Sequence, residues 1–172
     1  MDRAGADAEG PWRFALAVYG RPGAAPACLD LQNRRGADVV LVLFALWAGA
    51  ACATRLDPGR LSALRSLAGP WAAEVVEPLR TVRRRLKEGP PPAPGAASAA
   101  LRRRLQEIEI EAERIELDAL HQRCPLDRAA RPDGDAARAN LEALCAPHAD
   151  ADRAAIDLLV EAALAAAQEG AA

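Results

Sequence analysis

Both histidines of this chain stand beside cysteines, as His121-Gln-Arg-Cys124 and Cys145-Ala-Pro-His148. Imidazole nitrogen and thiolate sulfur are the ligands tetrahedral zinc prefers, and two such pairs at facing helix ends would supply four. The spacing differs from that of common zinc fingers, and neither pair sits in a knuckle turn. The residues therefore read as a chance arrangement first and a zinc set second, and no cofactor is expected. The second constellation is cationic. Arg80, Arg83, Arg84 and Lys87 fall three and four apart near one helix end, and Arg102, Arg103 and Arg104 open the next helix. Arginines suit the macrodipole at a helix C-terminus and oppose it at an N-terminus. An anion bound where the two clusters meet, such as a phosphate, a lipid head group or an acidic partner, would compensate the second cluster. A solvated polar end with an Arg103–Glu107 pair is the simpler reading.

Other reactive groups are sparse. Cys28 lies in the early turns of a helix, where the dipole favours thiolate. It also shares an apolar stripe with Leu31, which makes it a buried structural thiol, and Cys52 reads the same way. There is no visible Ser/His/Asp or Cys/His pairing and no glycine-rich phosphate loop. With no histidine in the first 120 residues, acid–base work there would fall to Asp30, Glu74, Glu77 or Tyr19. The balance leans away from an enzyme. Trp12, Trp47 and Trp71 read as core fillers rather than as a ligand pocket.

These groups depend on the stretch Val39–Ala53, which carries no charge. A helix apolar on every side must be surrounded, and this one is shorter than the roughly 20 residues a bilayer span needs. Asp38 is its expected N-cap. The fold class is all-α, an irregular helical bundle around this buried apolar central helix. Residues 1–10 are expected to be disordered and 11–123 to form a helical core domain, with a Pro-rich connector at 89–97. Residues 124–172 form an Ala-rich helical tail.

Within the core, Trp12–Tyr19 makes a first helix, with Trp12, Ala15, Leu16 and Tyr19 on one face. A second helix ends at Arg35 before Gly36, with Cys28, Leu29 and Leu31 inward. Asp57-Pro58 starts a third pattern, broken at Gly69-Pro70 and kinked or broken again near Pro78. Ser98 caps a long helix to about Arg123. On that helix Leu101, Leu105, Ile108, Ala112, Ile115 and Ala119 form a heptad seam expected to pack on the core. Ile110 and Leu117, seven apart on another side, are left as an interaction face for another chain. The tail contains no aromatic residue, so it is expected to pack loosely, and deletion of Arg131–Ala172 is expected to leave a folded protein.

The segments Trp12-Arg-Phe14-Ala15 with Tyr19, Leu46-Trp47-Ala48-Gly49, and Trp71 followed by Val75-Val76-Glu-Pro78-Leu79-Arg80 resemble a family of small bacterial helical proteins known as a domain of unknown function. Ile110-Glu111-Ala112-Glu113-Arg114 is similar to that family's acidic helix. The resemblance runs from about Trp12 to Leu120 and implies no activity and no catalytic residues.

Composition adds bounds. The net charge is −2, from 22 Lys and Arg against 24 Asp and Glu, which gives no strong nucleic-acid signal. The first residues lack a basic region followed by an apolar one, so no signal peptide is read and a cytoplasmic location is expected, with reduced cysteines. The function expected is a non-enzymatic protein-interaction or adaptor domain, acting on a protein partner or as a homodimer. A ligand-binding protein is the alternative.

Overall fold

The computed structural model describes residues 10–146 and 149–170, with backbone alone at Ala151. The expected disorder of the N-terminus lies outside the described residues, save at Gly10. Among the described residues there is helix and no strand, so the all-α class holds. The helices are α1 (Pro11–Tyr19), α2 (Ala24–Arg35), α3 (Val39–Leu46), α4 (Pro58–Trp71), α5 (Glu77–Glu88), α6 (Ala96–Arg123), α7 (Gly134–Leu144) and α8 (Asp150–Glu169).

The centre is α3. Asp38 caps it as expected, its Oδ1 accepting from the backbone N–H of Val40 at 2.9 Å. The helix then widens into a π turn at Trp47–Ala51, and every residue from Val40 to Cys52 is buried. A π turn displaces backbone carbonyls from the regular ladder. Here Ala50 O and Ala51 O accept from Asp133 N (3.1 Å) and Ala129 N (2.8 Å), so the chain after α6 is bonded to the end of the central helix. Phe14 packs edge-on against Trp47 with ring centroids 5.5 Å apart, and the Arg128 guanidinium lies over the Trp47 ring, 5.3 Å from its centroid.

The last two helices correct the expectation of a loosely packed tail. Ala137, Leu141 and Leu144 of α7 and Ile156, Leu159 and Ala163 of α8 belong to the same buried cluster as Phe44 and Leu46. Close approach replaces aromatic bulk. A Cβ on Gly49 would lie 2.3 Å from the Ala137 backbone, so α7 rests directly on the central helix there. Asn140, buried, fastens the seam. Its Oδ1 accepts from Leu56 N, and its Nδ2 donates to Ala45 O and Thr54 O at 2.8, 3.1 and 2.9 Å. Asp152, also buried, receives Arg35 Nε at 2.7 Å and Ala149 N at 2.8 Å, which ties the end of α2 to the start of α8. The Arg35 hydrogen bond, then that from Ala149, holds its carboxyl below the usual aspartate range.

Two boundaries differ from expectation. Helix α4 continues through Gly69-Pro70 instead of breaking, and a second π turn at Ala72–Val76 follows. The backbone stays right-handed through Trp71, Ala72 and Val76. The helix thus passes Pro70 without ending, and Pro78, where a kink or second break is expected, sits in the first turn of α5, directly after the π turn. Helix α6 begins at Ala96 with Gly95 as its cap, while Ser98 Oγ donates to Gly95 O at 3.0 Å.

Candidate functional site

Helices α1, α2, α5 and α6 and the start of α3 enclose a cleft of about 380 Å³. Its floor is Ala15, Val40, Leu43 and Leu117, all buried, with Trp12 and Val39 half-buried beside them. Leu16, Tyr19, Leu29 and Ile110 ring its mouth, between 39 and 53% exposed. Periodicity alone assigns Leu16, Tyr19 and Leu29 to the core. The faces that go to the core are instead Phe14, Ala15 and Val18 on α1 and Ala27, Cys28 and Leu31 on α2. A helix of nine residues such as α1 has too few turns for periodicity to separate two adjoining apolar faces.

One wall of the cleft is an arginine–glutamate network. Glu109 is buried on α6 and accepts from Arg80 Nε at 3.0 Å and from Arg83 Nε at 2.5 Å. Arg80 also reaches Glu113 at 2.9 Å and Glu77 at 3.4 Å. Burial pushes the Glu109 carboxyl up, but the hydrogen bonds from Arg83 and Arg80 outweigh it and hold the group below the usual glutamate range. Glu113 is held above that range, chiefly by burial. Of the expected cationic set, then, Arg80 and Arg83 are engaged by carboxylates of this chain. Arg84 is exposed at the rim, 3.6 Å from Glu77, and Lys87, Arg103 and Arg104 are exposed nearer the connector. Arg102 is half-buried, its Nε without a hydrogen-bond acceptor among the described residues.

Behind this wall sits a second acid. Glu116 is buried, and both its carboxyl oxygens and Asp38 Oδ2 lack a hydrogen-bond donor among the described residues. A proton on Glu116, donated to Asp38, supplies one. Burial, then that hydrogen bond and repulsion from Asp38 and Glu113, with Arg80 opposing, push Glu116 up to about 9. The folded protein therefore holds a proton that the unfolded chain releases near 4.5. The stability this gives is fully present below that value and is lost as pH rises toward 9, at up to about 1.4 kcal/mol per pH unit. Urea unfolding at pH 6 and pH 9 should show a steeper loss in wild type than in Glu116→Gln, whose amide cannot ionise. Equal losses would mean the pair is solvated.

The remaining constellations separate. His148 lies outside the described residues. Among those described, no three His, Cys, Asp or Glu side chains are grouped to hold a metal, so His121, Cys124 and Cys145 are not brought together. Cys28 and Cys52 are buried, and burial pushes both thiols up to about 12, which fits structural thiols. Tyr19 is raised as well, by burial first and Cys28 next, so its phenol is protonated at neutral pH. Asp30, Glu74 and Glu77 are exposed. Among the described residues the buried acids are Glu109, Glu116 and Asp152, none of which stands out in the sequence as a core acid. Glu109 and Glu116 stand seven apart on one helix face, and Arg80 and Arg83 three apart on its neighbour; that pairing of spacings is the available signal.

The expected interaction pair also divides. Leu117 is buried in the cleft floor and faces its own chain's core, while Ile110 is at the mouth. Trp47 is core, Trp12 lines the cleft, and Trp71 donates from Nε1 to Ala112 O at 3.0 Å, pinning α4 to α6.

A family model described as a protein of unknown function (DUF2390) matches residues 11–120. No curated protein and no solved structure matches the chain. The matched span holds every helix that lines the cleft and leaves out α7 and α8.

Proposed function

Because the chain belongs to the DUF2390 family, whose description assigns no activity, we propose a role from the cleft: a non-enzymatic interaction domain that seats an apolar segment of a partner protein. One observation carries the reading. Leu16, Tyr19, Leu29 and Ile110 come from three helices, yet their half-exposed side chains converge on a single trough with an apolar floor. Isolated exposed leucines are ordinary, whereas a gathered patch rimmed by polar groups marks a binding surface. The rim offers Gln32, Gln106, Arg84 and Glu113, both signs of charge and two amides. That suits an amphipathic helix with apolar anchors and mixed polar flanks. The location of the protein is part of the proposal only as cytoplasmic; among the described residues no helix is long and apolar enough to cross a membrane.

The test is a photo-activatable phenylalanine analogue at Leu16, at Ile110 and, as a control, at exposed Glu161 of α8. The reading expects a discrete cross-linked band from cells at the first two positions and none at Glu161. Tyr19→Glu should diminish both bands without changing the helical circular dichroism. Equal labelling at all three positions would remove the cleft as a docking site.

A further inference from the structure

Helix α5 is turned inside out. Two of its arginines face the protein: the Arg80 and Arg83 side chains are 12 and 21% exposed, while Val82 is 50% exposed. No residue of α5 is buried. Val75, Leu79, Val82 and Leu86, spaced four, three and four, form a stripe that runs from the preceding π turn along α5, on the side away from the cleft. Helix α6 packs along α5 and repeats the pattern. Leu101, Ile108 and Ile115 are 47, 48 and 49% exposed, with Leu105 half-buried between them. Of the heptad seam expected to pack on the core, Ala112 is buried beneath Trp71, while Leu101, Ile108 and Ile115 face outward, because Glu109 and Glu116 occupy the inward face. The α5–α6 hairpin thus turns Arg80, Arg83 and Glu109 with Ile110 and Leu117 to the cleft side and an apolar stripe from each helix outward.

We infer that this outer face pairs with the same face of a second copy, antiparallel about a two-fold axis, to make a four-helix bundle of the two hairpins. Each helix carries an apolar seam with steps of three and four, the pattern that such bundles pack with. Charge selects the orientation. Near the connector each stripe is edged by a cation, Arg85 on α5 and Arg104 on α6, both exposed. Toward the other end the edges carry acids, exposed Glu74 just before α5 and half-buried Asp118 on α6, which also pairs with Arg114 of its own helix at 3.9 Å. An antiparallel copy sets cation over acid at both edges and brings Ile108 of one copy beside Ile115 of the other; a parallel copy would set like over like. An isologous contact of this kind closes on itself. The face is about 25 Å long and about 20 Å wide, so a pair would bury roughly 1,000 Å² in total, about the least that a specific interface requires. The copy would leave the cleft open, since Ile110 and Glu113 lie on the opposite side of α6 from Ile108 and Ile115.

Sedimentation equilibrium of the full chain decides it. Wild type should be a dimer, weakened by salt. Ile108→Glu/Ile115→Glu should be a monomer with wild-type helical content, since both side chains are already half in solvent. Arg104→Glu should raise the dimer dissociation constant about tenfold or more, and Arg104→Glu/Asp118→Arg should restore it. A wild-type monomer up to millimolar concentration overturns the inference, and so does a dimer that Arg104→Glu leaves unchanged. Should the double glutamate variant unfold, the charge-reversal pair still separates the two outcomes.

Discussion

Deletion of Arg131–Ala172 should abolish cooperative unfolding. The segment contributes Leu141, Leu144, Ile156 and Leu159 to the buried cluster around the central helix. Each large aliphatic side chain so buried is worth about 1.5–3 kcal/mol. Four of them amount to about 6–12 kcal/mol, comparable with the whole stability of a typical domain, about 5–15 kcal/mol. The deletion also removes Asn140, stranding Leu56 N, Ala45 O and Thr54 O without their partner. Thermal melting followed by circular dichroism checks this: the shortened chain should lose helicity gradually or precipitate. A sharp transition near that of the full chain would show that residues 11–130 fold alone.

Leu46→Asp should be as damaging. Leu46 is fully buried in α3, with core on every side. A carboxylate there has no cation or donor to meet, and an unpaired buried charge costs several kcal/mol or forces protonation. The variant should be insoluble or unfolded at neutral pH. Soluble protein with wild-type melting would mean that α3 is exposed in solution.

Much of this architecture is legible in the residues. Asp38, Gly36 and Asp57-Pro58 mark their helix ends correctly, since caps depend on local backbone donors and on φ, which a short segment fixes by itself. The uncharged run at Val39–Ala53 implies burial on all sides, and the structure buries Val40 to Cys52 without a break. What stays hidden depends on which of two apolar faces a helix turns inward. On α6 the heptad seam looks like the core face, but buried Glu109 and Glu116 hold the inward side through Arg80, Arg83 and Asp38. Periodicity registers hydrophobicity and cannot see that an ion-paired carboxylate tolerates burial. The cleft is hidden for a related reason: Leu16, Tyr19 and Leu29 sit beside core residues on short helices, and only the position of α6 separates them from the core. The role of α7 and α8 escapes notice because small residues such as Ala137 and Gly49 pack by close backbone approach, without the bulk that flags a core helix.

If the cleft is a seat for a protein segment, the identity of what cross-links at Leu16 reveals it most directly. Mass spectrometry of the photo-adduct should find a peptide from another polypeptide, with apolar residues three and four apart flanked by charges of both signs. An adduct to a small molecule would contradict this and make the cleft a ligand pocket. So would an adduct confined to a second copy of this chain, which would make the cleft part of the dimer.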